Sequence, residues 1–163
     1  MYKILIAGLF WVFSTIAQAD VINGRVVSVS DGDTITVLDN TNTQYKIRLA
    51  GIDAPEKKQA FGTASKRSLS DMVFGRQVAV EWSKHDRYGR TVGKVIVNGM
   101  DANLEQIKRG MAWFYAKYQN EQSVQDREEY AGAQDYAEKN QLGLWADKNP
   151  TPPWNFRKQD KHN

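Results

Sequence analysis

Five short β-branched runs, each closed by a turn signal, constrain what this chain can fold into more than any other feature. Residues 21–29 are rich in valine and run into Ser30-Asp31-Gly32, and residues 34–38 form a second run. Asp39-Asn40-Thr41-Asn42 is dense in turn formers. Residues 44–50 beyond it alternate, with Ile47 and Leu49 on one face and Lys46 and Arg48 on the other. A period of two predicts half-buried strands, so these three segments predict a meander. Val78, Val80 and Trp82 alternate as a fourth strand, and residues 92–97 form a fifth that ends at Asn98-Gly99.

Helical signals fall between and after these runs. Pro55 and Glu56-Lys57-Lys58 break the strand pattern, and residues 63–74 predict a helix burying Leu69, Met72 and Val73, stopped by Gly75. Asp101 is placed to cap a short helix carrying Leu104 and Ile107, closed by Gly110. Residues 111–115 form an aromatic extended segment, a polar helix with a solvated face is expected over residues 121–139, and Gly143-Leu144-Trp145 reads as a terminal anchor. From Asn149 on, prolines and cations predict a loosely ordered tail. Five strands with a helix between the third and fourth is the order of an OB barrel. The expected class is therefore α+β, mainly β, with about three helices, although a small β-sandwich fits the same strand pattern.

Composition narrows the chemistry. The 163 residues are enough for one domain with its own core. Lys3, the apolar stretch after it and Ala17-Gln18-Ala19 together have the form of a signal peptide. Its apolar part is shorter than the ~18 residues a spanning helix needs. The expectation is a signal peptide over residues 1–19, one barrel domain over residues 20–147 and a basic tail over residues 148–163. The mature protein would be exported to the periplasm or beyond, free of the membrane and monomeric. The formal charge of +3 is only mildly basic, so any affinity for nucleic acid depends on where the cations cluster. With no cysteine, disulfides, thiol nucleophiles and the common zinc sites are excluded. His85 reads as a solvated loop residue and His162 has no assigned role, so a metal here must be held by oxygen.

Four clusters carry chemistry: Asp31-Gly32-Asp33-Thr34, Arg48, Ile52-Asp53-Ala54-Pro55-Glu56 and Asp86-Arg87-Tyr88-Gly89-Arg90. Each alone also reads as turn chemistry. Together they supply what phosphodiester hydrolysis requires, which is on the order of 20 kcal/mol of barrier lowering. One well-placed donor contributes about 3 or 4 kcal/mol, so several groups must act together. Asp33 and Asp53 offer hard oxygens to a divalent ion, helped by a backbone carbonyl in the turn after Asp53. Glu56, three residues on, is the candidate to orient or deprotonate water. Arg48 and Arg90 suit a phosphate because a guanidinium donates two parallel bonds and keeps its charge. Lys84, Arg87 and Tyr88 add cations and a ring to the same loop, as a groove for a strand would.

At these residues the chain resembles the staphylococcal nuclease (thermonuclease) family, through Asp-Gly-Asp-Thr, Ile-Arg-Leu, Ile-Asp-Ala-Pro-Glu and Tyr-Gly-Arg in that order. The likeness runs over residues 21–145. It implies an OB barrel with three helices and calcium-dependent cleavage of DNA and RNA at the 5′-oxygen side, leaving 3′-phosphate ends. It implies calcium at Asp33, Asp53 and the Ala54 carbonyl, Glu56 acting on water, and Arg48 and Arg90 on the phosphate. Tyr88 and Tyr118 match nucleotide-contacting tyrosines, for which packing roles remain open. Ala54 stands where the best-known member has threonine, which removes a hydroxyl and leaves the carbonyl. The competing expectation is a non-catalytic OB module that binds nucleic acid.

Overall fold

The computed structural model describes residues 20–160. The signal-peptide expectation over residues 1–19 and His162 lie outside them.

The strand order follows from the alternation. Strand β1 (Asp20–Val29) buries Ile22, Val26 and Val29 on one face, and a bulge between Val26 and Ser28 bends it. It pairs antiparallel with β2 (Thr34–Asp39) along one edge and with β5 (Gln77–His85) along the other, matching Val26 to Val37 and Ile22 to Val80. Strand β3 (Gln44–Leu49) follows β2 antiparallel, with Ile35 opposite Ile47. Strand β6 (Thr91–Val97) pairs antiparallel with β5 and parallel with β3, where Ile47 meets Thr91. That last pairing closes five strands into the expected barrel and removes its open edges. Ile35, Val37, Ile47, Val80 and Val95 fill the interior with no solvent exposure.

The remaining elements cover one end of the barrel and carry the candidate site. The two-residue strand β4 (Ile52–Asp53) comes directly after β3. Helix α1 (Gly62–Val73) buries Leu69, Met72 and Val73, as the sequence predicts. Strand β7 (Met100–Asp101) leads into α2 (Ala102–Lys108), and Asp101 caps that helix by accepting the Asn103 and Leu104 N–H groups. Strand β8 (Trp113–Phe114) pairs with β4, so Asp53 lies opposite Trp113 in a small second sheet. The polar helix begins later than expected. Residues Ala116–Glu121 form 3-10 turns, and α3 (Val124–Lys139) starts after a Ser123 cap that accepts the Asp126 N–H. Its inner face buries Tyr130, Ala133 and Ala137.

The tail differs from the sequence expectation. Residues Pro153–Asp160 form a fourth helix, α4, rather than a loose end. The Pro152 carbonyl accepts the Asn155 and Phe156 N–H groups, and Pro153 at the first helical position has no N–H left to satisfy. Trp154 stacks on Tyr115 with ring centroids 5.2 Å apart and planes 3° from parallel, and meets the Trp113 ring edge-on at 5.6 Å. Gln59 bonds the Thr151 carbonyl. Among the described residues no helix is long and apolar enough to cross a membrane.

Candidate active site

The first carboxylate is fixed by crowding. Gly32 leaves no room for a side chain, since a Cβ there would lie 1.8 Å from Ser65 Oγ of α1 and 2.8 Å from Ala54 Cβ. Gln106 of α2 donates to the Gly32 carbonyl at 2.8 Å, tying the same turn to a second helix. Asp31 Oδ1 accepts the Asp33 N–H at 3.1 Å. The buried Asp33 side chain then accepts from Thr34 Oγ1 at 3.0 Å and from the Ala54 N–H at 2.8 Å. That last bond joins two clusters 21 residues apart in the chain.

The second carboxylate is held by β4 and β8. Asp53 is 1% exposed. Arg48, from β3, reaches both acids with one nitrogen: its Nη2 lies 3.1 Å from Asp33 Oδ2 and 2.9 Å from Asp53 Oδ1. Its Nη1 donates to the Leu49 and Ile52 carbonyls at 2.8 and 2.9 Å. The guanidinium expected on a phosphate is thus engaged with protein oxygens in this state. Burial raises the Asp53 carboxyl pKa further than bonds from Arg157 and the charge of Arg48 lower it. Asp31, used by the sequence reading only as part of a turn, is pushed up to about 6 by burial and by the charge of Asp33.

Arg90 approaches from the β5–β6 turn. Gly89 has a φ of +76°, which glycine adopts without strain, and Asp86 accepts the Tyr88 and Arg90 N–H groups across the turn. Asp86 also takes the Arg90 Nε–H at 2.7 Å, leaving Arg90 Nη1 3.4 Å from Thr34 Oγ1, beside Asp33. Burial pulls the Asp86 carboxyl upward, but these bonds outweigh it and hold it below its ordinary range. Tyr88 is 68% exposed, with Arg87 and Arg90 over its ring. Tyr118 is 42% exposed, with Lys84 and Lys117 over its ring. Rings with cations across their faces suit a strand whose bases stack while its phosphates meet charge. His85, at the end of β5, tilts against Trp82 and bonds Thr91.

Glu56 is half-buried at the rim, its N–H held by Gln59. Its partner is one that sequence reasoning missed. Arg157, from α4, places Nη1 2.7 Å from Glu56 Oε1 and Nη2 2.7 Å from Asp53 Oδ2. Tyr115 also belongs to this corner, because burial and the Asp53 charge raise its phenol pKa. The Pro152-Pro153 start and the basic residues of the last turn were available as helix signals. Nothing in the spacing linked residue 157 to residues 53 and 56.

Among the described residues no three acidic, histidine or cysteine side chains converge as a metal-holding group. Asp33 and Asp53 do present oxygens to one common point, the Arg48 Nη2. Two carboxylates, completed by a carbonyl and water, fit a hydrated hard cation and do not fit zinc.

The family model for staphylococcal nuclease homologues matches residues 46–147. A Haemophilus influenzae protein named "Uncharacterized endonuclease" is 42% identical over 163 residues, covering 99% of this chain and 88% of its own. A Shigella flexneri protein named "Micrococcal nuclease" is 38% identical over 165 residues, covering 96% of this chain and 91% of its own. An Arabidopsis thaliana staphylococcal-like nuclease is 37% identical over 118 residues, covering 72% of this chain and 35% of its own. The barrel, the paired acids and these likenesses together establish that the chain belongs to the staphylococcal nuclease family.

Proposed function

We propose that this protein is an exported endonuclease that hydrolyses phosphodiester bonds of DNA and RNA at the 5′-oxygen side with calcium as cofactor. The observation that carries the reading is the convergence of Asp33 and Asp53 on one point, with Arg90 and Glu56 at its rim. Relatives named endonuclease and micrococcal nuclease support the reaction class. A protein that only binds nucleic acid has no use for two buried acids that repel phosphate.

Asp33, Asp53 and the Ala54 carbonyl would hold the ion. Once bound, it neutralises phosphate charge and polarises the phosphorus centre. Arg90 is anchored by Asp86 through Nε, which leaves its Nη groups to face the phosphate. Arg48 gains a phosphate contact by exchanging one of its carboxylate bonds. Glu56 accepts a proton from water as the water oxygen bonds to phosphorus. The bond from phosphorus to the 5′ oxygen breaks and that oxygen takes a proton from solvent water, leaving a 3′-phosphate and a 5′-hydroxyl. Tyr88, Tyr118 and Arg87 line the approach of the strand.

The test is incubation of residues 20–163 with linear DNA and with RNA, adding calcium, magnesium or a chelator. Cleavage of both with calcium, abolished by the chelator, is expected. Undiminished cleavage without divalent ions overturns the mechanism. Export is checked by N-terminal sequencing of the protein recovered outside the cytoplasm, which should begin at Asp20.

A further inference from the structure

The family site accounts for Arg48 and Arg90 but not for Arg157. Arg157 makes three charge-assisted bonds: Nη1 to Asp53 Oδ1 at 3.2 Å, Nη2 to Asp53 Oδ2 at 2.7 Å and Nη1 to Glu56 Oε1 at 2.7 Å. With Arg48 on Asp53 Oδ1, both oxygens of that acid are already engaged by guanidinium. Glu56, the group needed for water, is tied to the same side chain.

We propose that Arg157 is an internal cation that competes with the divalent ion for Asp53 and ties up Glu56, so that α4 is an autoinhibitory cover released when the ion binds. This rests on the metal-dependent reading above. A divalent ion and a guanidinium at contact distance from one buried carboxylate repel each other strongly, because little water lies between them. One must leave, and the two arginines differ in how easily they can. Arg48 is 14% exposed, sits on a barrel strand and spends Nη1 on two backbone carbonyls. Arg157 is 39% exposed and rides on an eight-residue helix. Arg157 is therefore the one that leaves Asp53 altogether, whereas Arg48 exchanges a carboxylate bond and stays anchored by its two backbone carbonyls.

The same helix covers a second feature. Trp154, three residues before Arg157, lies flat on Tyr115, whose phenol is within electrostatic reach of Asp53. An indole parallel to a tyrosine ring occupies the kind of face on which a nucleobase stacks. Withdrawal of α4 would free Glu56 and Asp53 Oδ2 and bare this ring together, coupling ion entry to strand entry. The ion then faces a site whose competent state is only partly populated, which weakens its apparent affinity by that fraction.

The experiment is calorimetric titration of calcium chloride into the full mature chain and into Arg157→Gln, Lys158→Gln and Asp53→Asn. Lys158 is exposed on the same turn and controls for lost charge. Arg157→Gln should bind calcium at least about tenfold more tightly than the unaltered protein, the weight of one bond to a charged group. Lys158→Gln should stay within about twofold, as for an exposed charge. If circular dichroism shows that Arg157→Gln is misfolded, Arg157→Met, which removes the charge and keeps an unbranched side chain, replaces it with the same tenfold expectation. Equal affinities for the Arg157 and Lys158 variants overturn the proposal while leaving the metal site intact. Weaker binding by Arg157→Gln also overturns it and makes Arg157 a positioning residue for Glu56. Unchanged binding by Asp53→Asn, or no calcium binding by any of the four proteins, removes the metal reading itself and this proposal with it.

Discussion

At the scale of single residues, the two arginines taken as equivalent in sequence stand in different circumstances. Arg90 is oriented by Asp86 with its Nη groups left toward the site, whereas Arg48 bridges Asp33 and Asp53. Arg90→Ala should lower turnover by at least ~100-fold, with the fold intact, because it removes a donor to the developing charge. His85→Ala should leave turnover within a few-fold, and steady-state kinetics on DNA compares the two. A loss at His85 as large as that at Arg90 would mean the base is misassigned. Asp31 permits a pH prediction. Its folded value of about 6 exceeds its ordinary 3.8, so between those pH values the folded state keeps a proton that the unfolded chain has released. Stability in chelator should therefore fall as pH rises from 4 to 6, by up to about 3 kcal/mol from this group. Asp31→Asn should flatten that slope in urea titrations. Asp53 and Asp101, raised in the same direction by burial, should keep part of it.

At the scale of elements, capping and pairing explain which expectations held. The Asp101 cap was legible because an acceptor before an apolar run is a local signal. Its second role was not: Asp101 Oδ2 accepts the Tyr130 hydroxyl at 2.8 Å, joining α2 to α3. Asp101→Ala removes both cap bonds and strands a buried phenol, and should cost about 2–4 kcal/mol in denaturant titrations. Asp101→Asn keeps an acceptor and should cost much less. The late start of α3 has a local cause, since Ser123 accepts the Asp126 N–H and makes the cap that Glu121 does not provide. The order of α4 comes instead from tertiary contact. An eight-residue helix has little stability alone, and this one is held by Trp154, the Gln59 bond and Arg157.

At the scale of the whole molecule, stability comes from the closed barrel, because there is no disulfide to supplement it. Ile47 stands where closure occurs, paired to Ile35 on one side and Thr91 on the other, and fully buried. Ile47→Ala should cost about 2–5 kcal/mol, read from the urea midpoint. A smaller loss than Ile47→Val would typically give, about 1 kcal/mol, would mean that the interior collapses around the void. Barrel and site are linked here, because Arg48 is the next residue on β3 and points to the opposite face.

By itself the sequence determined the five barrel strands and the first two helices, and it nominated Asp33, Asp53, Glu56, Arg48 and Arg90 for the candidate site. Those depend on periods of two and 3.6, on caps and on residue chemistry, all of which act over a few positions. Only the tertiary structure decided that Gly32 and Gln106 brace the Asp33 turn, that Arg48 spans both acids, and that Arg157 reaches Asp53 across 104 residues. Contacts of that length arise when a closed barrel and its covering helices bring distant segments to one end. No local pattern encodes which cation of a basic tail will arrive there.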